Sequence, residues 1–192
     1  MQEEPYCKDE EKLSKIRARE LWDKRIIDTF EVGTVNGLQQ IHTYLFQDVF
    51  SFAGQIRTVN LAKGNFRFAP ILFLTDNLKI IDTMPIETFD DIVEKYVEIN
   101  IAHPFREGNG RSMRIWLDLL LKTRIGQCID WSKVDKYQYL SAMERSPVNS
   151  LELRMLLRSA LTHDIDNRDV YMRGIQSSYQ YEDLNRYDIY RL

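Results

Sequence analysis

The sequence predicts an all-α fold, a helical bundle that carries one small β-hairpin. Most segments of the 192-residue chain repeat apolar side chains every three or four positions, which is the spacing of amphipathic helices. Only 8 glycines and 5 prolines interrupt these segments, so the connections are predicted to be few and short. Residues 57–72 alternate apolar and polar side chains instead, and they give the single convincing β signal. Together these observations indicate one domain over residues 1–192.

Two helices are predicted before the hairpin. Residues 9–24 place isolated apolar side chains among charged ones, which is typical of a helix on the surface. Residues 34–46 carry an apolar stripe, and Thr34 at their start is suited to cap the helix. His42 lies beside this stripe, and we interpret it as a structural rather than a catalytic histidine.

The hairpin of residues 57–72 is predicted from its alternation and its turn. Arg57, Val59 and Leu61 alternate with threonine, asparagine and alanine, and the Lys-Gly-Asn sequence at 63–65 is typical of a turn. Helical spacing then returns. The helices predicted after the hairpin cover residues 72–83, 88–102, 133–144, 151–161 and 168 to about 185, and a further buried helix is predicted to start after the Gly-Asn-Gly turn at 108–110.

The most informative segment is residues 103–114, which read His-Pro-Phe-Arg-Glu-Gly-Asn-Gly-Arg-Ser-Met-Arg. Apolar runs precede and follow it, so it is predicted to be a loop held between two buried helices. Phe105 is expected to anchor this loop in the core. A loop fixed by rigid elements is a suitable platform for a functional site.

The residue types in this loop suit the handling of a polyphosphate beside a hydroxyl nucleophile. His103 is the candidate general base, because a neutral imidazole accepts a proton near pH 7. Glu107 is suited to hold Mg²⁺, which favours one or two carboxylates together with phosphate oxygens. Gly108, Asn109 and Gly110 allow backbone N–H groups to converge on an anion at the start of a helix.

Arg111 and Arg114 lie three positions apart, on one face of the predicted helix, where both can bind phosphate oxygens. Each feature of the loop, taken alone, more often has a structural role as a cap, a turn or a solvated face. Their combination in this order favours a site. The segment is not a nucleotide-binding P-loop, since the sequence has no Gly-x-x-x-x-Gly-Lys-Ser/Thr run.

HPFREGNGRSMR, residues 103–114, resembles the Fic family signature HPFx(D/E)GNGRxxR at every defined position. YLFQDVFSFAGQIR, residues 44–57, resembles the family's upstream helix and the start of its flap, and KGNFRFAP, residues 63–70, resembles the flap itself. The resemblance covers a core of about residues 31–161, with the hairpin flap at about 57–72. It implies a Fic-like helical bundle that transfers AMP from ATP to a protein hydroxyl.

The resemblance also implies a role for each residue of the motif. His103 would deprotonate the target hydroxyl, and Glu107 would bind Mg²⁺. The residues implied to bind ATP are Gly108, Asn109 and Gly110 as the anion hole, and Arg111 and Arg114 at the β- and γ-phosphates. The residues implied to align a target segment are Lys63, Gly64, Asn65, Phe66, Arg67 and Phe68. The related Doc kinases have lysine at the position of Gly110, so this chain's pattern favours AMP transfer over phosphorylation.

Residues 177–183, Ser-Ser-Tyr-Gln-Tyr-Glu-Asp, resemble the family's inhibitory motif (S/T)xxxE(G/N). Ser178 and Glu182 are four apart and are predicted to share a helix face. The resemblance implies the short class III type, in which an inhibitory helix, here about 174–186, follows the core and Glu182 binds Arg114 in place of the γ-phosphate. Asp183 departs from the motif, and the alternative is a terminal helix without an inhibitory role.

Composition excludes several other classes. A net charge of −3 argues against a nucleic-acid binder, and no apolar run approaches the length of a membrane span. The polar, acidic start is unlike a secretory signal, so we expect a cytoplasmic protein, with Cys7 and Cys128 as isolated reduced thiols. The tyrosines after residue 170 are interpreted as packing residues, with self-modification as the alternative.

The function predicted from these features is an autoinhibited protein adenylyltransferase whose partners are ATP and an unknown target protein. Two alternatives stay open. The first is a hydrolase that removes AMP from proteins, in which Glu182 would position water. The second is a non-enzymatic toxin–antitoxin module, against which the intact motif argues. Resemblance to class III also implies a homo-oligomer.

Overall fold

The computed structural model describes residues 9–64 and 66–192, and this part of the chain is mainly helical, as predicted. Its α-helices are α1 (Glu10–Asp23), α2 (Val35–Phe46), α3 (Ile71–Thr83), α4 (Phe89–Ala102), α5 (Asn109–Ile125), α6 (Lys136–Arg145), α7 (Leu151–Ser159) and α8 (Arg168–Gln180). Its strands are β1 (Ala62–Lys63), β2 (Phe66–Arg67), β3 (Cys128–Ile129) and β4 (Leu161–Thr162). No helix among the described residues is long and apolar enough to cross a membrane.

The predicted hairpin is present but shorter than residues 57–72. Strands β1 and β2 pair antiparallel over two residues each, with Ala62 opposite Arg67 and Lys63 opposite Phe66. Gly64 takes a left-handed conformation in the turn, with φ of 57°, and Asn65 lies outside the described residues. Towards the ends of the segment the backbone bonds elsewhere: the Arg57 N–H donates to the Pro104 carbonyl and the Ala69 N–H to the Ile101 carbonyl.

A second two-stranded antiparallel sheet, β3 with β4, was not predicted. Cys128 pairs with Thr162 and Ile129 with Leu161, so this sheet joins the end of α5 to the end of α7. The prediction of helix through residue 161 was therefore wrong at its end. Two-residue strands are too short to produce an alternating pattern in the sequence.

The helix starts follow their capping residues. The Thr34 hydroxyl accepts from the Gly37 N–H at 2.9 Å, which confirms the predicted cap of α2. Thr88 and Asp91 form a capping box at the start of α4. The predicted helix at 133–144 begins three residues later, because Trp131–Lys133 form a 3-10 turn and Asp135 caps α6.

Helix α5 lies at the centre of the fold, where it packs on α2, α4, α8 and β3. Trp116 and Leu120 on this helix are fully buried, and the Trp116 indole N–H donates to the Thr34 carbonyl at 3.0 Å. The core therefore surrounds the helix that follows the loop at residues 103–108. This arrangement gives the loop a rigid base.

Helix α1 is not simply a surface helix, which corrects the expectation for residues 9–24. The side chains of Glu11 and Lys15 are 0% exposed and form an ion pair of 2.8 Å. Lys15 Nζ donates to the Tyr187 carbonyl at 2.6 Å, and the Glu11 carboxylate accepts from the Tyr187 N–H at 3.0 Å. Charged residues that pair with a segment about 170 positions away look solvated in the sequence, although they are buried in the fold.

Candidate active site

The loop between α4 and α5 is fixed by its own side chains. Phe105 is fully buried, as predicted. The Asn109 side chain accepts from the Phe105 N–H at 2.9 Å and donates to the Phe105 carbonyl at 2.8 Å. The Asn109 side chain therefore clamps the loop, and only its backbone N–H is available for the predicted anion hole.

His42 supports the loop from below. Its Nδ1 accepts from the Gly54 N–H at 2.8 Å, so its Nε2 carries the proton and donates to the Glu107 carbonyl at 2.8 Å. Its ring stacks on Phe105 with centroids 3.8 Å apart. Burial lowers the pKa of His42 to about 4, which keeps the ring neutral near pH 7. These contacts agree with a structural role.

His103 ends α4 in a left-handed conformation, with φ of 49°. Its ring stacks on the Phe68 ring of the flap, with centroids 3.6 Å apart. Burial, aided by the charges of Arg57 and Lys63, lowers the pKa of His103 to about 4 although the Glu182 carboxylate opposes it. The imidazole is therefore neutral at pH 7 and able to accept a proton.

The N-terminus of α5 faces the same side of the loop. Gly108 precedes the helix with φ of 77°, and a Cβ atom there would lie 2.5 Å from the Phe46 ring. A Cβ atom on Gly110 would lie 2.6 Å from Oε1 of Glu182. The Glu182 carboxylate thus lies over the first turn of α5, where free N–H groups and the helix dipole favour an anion.

Arg114 binds both residues of the predicted inhibitory pair. Its Nε donates to the Ser178 hydroxyl at 2.7 Å, and its Nη2 donates to the Ser178 carbonyl at 2.9 Å and to Glu182 Oε1 at 3.0 Å. Burial alone would raise the pKa of Glu182, but the charge and hydrogen bond of Arg114, together with the charges of Lys63 and Arg111, outweigh burial and hold the pKa below its usual range. The carboxylate is therefore ionised and paired at pH 7.

Helix α8 ends at Gln180, so the predicted helix over 174–186 is too long. Asp183 adopts φ of 59°, and the N–H groups of Asp183 and Leu184 donate to the Gln180 and Tyr179 carbonyls, each at 3.0 Å. This pattern is a Schellman cap, in which glycine or asparagine is usual at the left-handed position and aspartate is tolerated. Glu182 is accordingly the residue immediately before the left-handed Asp183, and the helix does not continue beyond it.

Arg111 lies under the loop in a different environment from Arg114. Its side chain is 2% exposed, and its Nη1 donates to Glu10 Oε1 at 2.6 Å. Its Nη2 lies 3.3 Å from Glu107 Oε1. The pairing of Arg111 with Glu10 was not predicted from the sequence, because the two charges are 101 positions apart.

Glu107 is suited to a metal ion that is held mainly by phosphate. Its side chain is 45% exposed, and its Oε1 accepts from the Gly108 N–H at 2.8 Å. No group of three or more histidine, cysteine or acidic side chains in residues 9–64 and 66–192 forms a ready-made metal site. A single accessible carboxylate fits Mg²⁺, which usually takes its remaining oxygens from phosphates and water.

The flap reaches the site with two of its predicted residues. Phe68 covers His103, and Lys63 Nζ lies 3.9 Å from Glu182 Oε2. Phe66 packs edge-on against Phe68 with centroids 5.1 Å apart, whereas Arg67 is exposed. The flap therefore lies beside both the candidate base and the carboxylate over α5.

Comparisons with known proteins agree with this site. The Fic/DOC family pattern matches residues 33–121. Over 188 residues the chain is 31% identical to the protein adenylyltransferase VbhT of Bartonella schoenbuchensis, covering 85% of this chain but 37% of that protein. It is 29% identical over 150 residues to the probable protein adenylyltransferase Fic of Salmonella typhimurium, covering 70% of this chain and 74% of that protein.

A solved structure shares the fold. The BepC protein of Bartonella tribocorum, with bound AMPPNP, superposes with a TM-score of 0.61 at 20% identity, over 81% of this chain and 89% of that one. This likeness concerns the fold, and it confirms the predicted bundle. The family inferred from the sequence is confirmed by the family match over residues 33–121, by the two named relatives and by the signature loop: the chain belongs to the Fic/DOC family.

Proposed function

We propose that the protein is an autoinhibited protein adenylyltransferase, a single Fic domain of the class III type. It transfers AMP from ATP to a serine, threonine or tyrosine hydroxyl of a target protein and releases pyrophosphate. The observation that carries this proposal is the Glu182 carboxylate on Arg114, an anion held over the first turn of α5 by the donors that a phosphate would use. The names of the two relatives and the nucleotide in BepC point to the same reaction.

In the proposed reaction the target hydroxyl oxygen attacks the α-phosphorus of ATP. A new oxygen–phosphorus bond forms, the bond to the oxygen bridging the α- and β-phosphorus breaks, and pyrophosphate leaves. His103 accepts the hydroxyl proton, because its ring is neutral at pH 7 and has a nitrogen lone pair to accept it. The flap residue Phe68, stacked on His103, keeps water from the ring and fixes its plane.

The phosphates of ATP are bound by the start of α5. The N–H groups of Asn109 and Gly110 bind the anion together with the helix dipole, whereas the Gly108 N–H, included in the predicted anion hole, donates to the Glu107 carboxylate. Arg114 holds the γ-phosphate once Glu182 has left. Arg111 contributes positive charge from under the loop, and its pairing with Glu10 fixes the position of its guanidinium.

Mg²⁺ would be held by Glu107 together with phosphate oxygens of ATP. When bound, the ion neutralises negative charge on the phosphates. The Glu107 carboxylate is kept in place by the Gly108 N–H and by Arg111, so it does not need to reorganise for binding.

Autoinhibition follows from competition for one cation. Arg114 is buried and already satisfied by Ser178 and Glu182, so ATP must displace the carboxylate before its γ-phosphate is bound. The target segment is proposed to add as a strand along β1–β2, between Lys63 and Phe68, which brings its hydroxyl to His103.

Hydrolysis of AMP from modified proteins is a second candidate, favoured by the position of Glu182. Its Oε1 accepts from Arg114, whereas its Oε2 lies 3.9 Å from Lys63 Nζ. The carboxylate is also near enough to His103 for its charge to raise the pKa of that ring, against the larger effect of burial. A water on Oε2 would be oriented for attack. Incubation with an AMP-modified protein distinguishes the two reactions, because only the hydrolase releases free AMP.

Self-association and a cytoplasmic location complete the proposal. Leu72, Phe73 and Ile80 on α3 are exposed by 80%, 55% and 63%, which supports contact between copies of the chain. Light scattering over a range of protein concentrations tests this point, and a constant monomer mass would contradict it.

The test of the proposed reaction uses ATP labelled at the α-phosphate and cell lysate. Glu182→Gly is expected to label target protein more strongly than wild type. His103→Ala in the same background should reduce labelling by about 10²–10⁴-fold, the usual cost of removing a general base. Labelling that persists at full rate without His103 would remove it as the base, and labelling absent from every variant would refute AMP transfer.

A further inference from the structure

Arg57 is a buried cation at the base of the flap, and its side chain is fully committed to backbone carbonyls. It is 3% exposed. Its guanidinium donates to the carbonyls of His103 (2.7 Å), Val59 (2.7 Å), Ala69 (2.6 Å) and Ala102 (3.0 Å). Its backbone N–H also donates to the Pro104 carbonyl at 2.8 Å. Within the described part of the chain, no other side chain donates to as many backbone carbonyls.

These four carbonyls belong to two different parts of the site. Val59 and Ala69 lie on the two limbs of the flap, before β1 and after β2. Ala102 and His103 form the end of α4, about 45 positions further along the chain. One guanidinium therefore fastens both limbs of the flap to the residue proposed as the base.

The end of α4 needs such a partner. The last carbonyls of a helix have no intrahelical donor, and a cation there also compensates the helix dipole. His103 carries the left-handed φ of 49°, a conformation that a residue with a side chain keeps only when its surroundings hold it. The bonds from Arg57 to Ala102 and His103 provide this restraint at the residue itself.

We propose that Arg57 is a positioning residue, which holds the His103 ring and the flap in one fixed relative position. This inference rests on the proposed function, because the position matters only if a target hydroxyl on the flap must meet His103. Arg57 acts through His103 and Phe68, whose rings stack with centroids 3.6 Å apart. Its own nitrogens face carbonyls and not the site.

The shape of the guanidinium is essential to this role. Its planar fork presents several N–H donors in fixed directions, whereas a lysine ammonium is a single point charge. Arg57→Lys keeps the charge but cannot bond to both flap limbs and to the end of α4. The substitution therefore separates positioning from simple charge.

The first readout is independent of activity. The chain has 3 histidines, so their ring protons can be followed by NMR, with His103→Ala assigning its signal. Because the Phe68 ring stacks on His103 with centroids 3.6 Å apart, the His103 signals are expected to lie upfield in the wild type. Arg57→Lys is expected to reduce this upfield shift while the His42 signals stay in place. Unchanged His103 signals, or equal movement of both histidines, would overturn the proposal.

The second readout is kinetic and uses the Glu182→Gly background. Arg57→Lys is expected to lower kcat for AMP transfer about 10- to 100-fold, the scale of a small misplacement of a reacting group, with KM for ATP unchanged. Arg145→Lys, at an exposed arginine paired with Glu152, is the matched control and should leave kcat unchanged. An unchanged kcat in Arg57→Lys, or a loss that appears only in KM for ATP, would contradict the proposal.

The two readouts separate the inference from the proposed function. If Glu182→Gly itself transfers no AMP, the proposed function fails, and the NMR comparison still decides whether Arg57 positions His103. If Glu182→Gly is active and Arg57→Lys leaves both the His103 signals and kcat unchanged, the inference alone fails.

Discussion

The Glu182 carboxylate and the Arg114 guanidinium are joined by a hydrogen bond of 3.0 Å directly over the first turn of α5. Arg114 is 3% exposed, and its other donor contacts go to Ser178 on α8. The contact therefore depends on how α8 ends and on how the following segment is held. Three predictions concern these supports and the loop beneath the site.

The cap at Asp183 sets the position of Glu182. Valine is a poor residue for the left-handed φ of 59°, so Asp183→Val should cost about 1–2 kcal/mol of cap stability. AMP transfer by this variant should rise by up to about 5- to 30-fold, if the cost falls entirely on the inhibited form. Asp183→Asn is the control, because asparagine tolerates this conformation and the lost ion pair with Lys136 involves an exposed carboxylate. Equal activity of the two variants would show that the cap does not position Glu182.

The buried pair of Glu11 and Lys15 ties the segment after α8 to α1. Glu11→Ala should lower the free energy of unfolding by about 3–5 kcal/mol, because it leaves the Lys15 charge buried without its carboxylate. Glu152→Ala breaks an exposed pair with Arg145 and should cost no more than about 1 kcal/mol. Urea unfolding measures both, and similar losses in the two variants would contradict the buried pairing.

His42 gives a pH dependence with a defined sign. Its folded pKa of about 4 lies below the unfolded value of about 6.5, so its contribution to stability is full above pH 6.5 and is lost as pH falls towards 4. Between pH 7 and 5 the loss should be about 2 kcal/mol. Since burial raises the pKa of Asp118 to about 7, which acts in the opposite direction, the total pH dependence does not isolate His42.

The comparison with His42→Gln removes this complication. Glutamine keeps one donor and one acceptor but does not titrate. The stability of the wild type relative to His42→Gln should therefore fall by about 2 kcal/mol from pH 7 to pH 5, measured by urea unfolding at each pH. A difference between the two proteins that stays constant with pH would mean that His42 is not held neutral by the fold.

The sequence was sufficient for local features and insufficient for long-range ones. Three features were predictable because each lies within a short continuous segment: the loop at 103–114, the flap, and the Ser178–Glu182 pair. The contacts of Arg57 with the end of α4 and of Glu10 with Arg111 were not predictable, since these partners lie about 45 and 101 positions away. Buried charges are paired only in the fold, and a hydrophobicity pattern assigns them to the surface.

The ends of elements were missed for a similar reason. The extension of α8 to about residue 185 followed helical spacing, but the left-handed Asp183 ends the helix earlier. Aspartate at this position gives a weak signal, because it also occurs within helices. The β3–β4 sheet was not predicted because strands of two residues are too short to show an alternating pattern of apolar and polar side chains.

We propose that Glu182 occupies on Arg114 the place of the γ-phosphate of ATP. Calorimetric titration with ATP and with AMP tests it in wild type, Glu182→Gly and Glu182→Gly with Arg114→Ala. Glu182→Gly is expected to raise the affinity for ATP, by at most about 100-fold if Arg114 is free about 1% of the time, and the added Arg114→Ala should abolish the gain. The affinity for AMP, which has no γ-phosphate, should change much less. Equal ATP affinity of wild type and Glu182→Gly, or an equal gain for AMP, would contradict the claim.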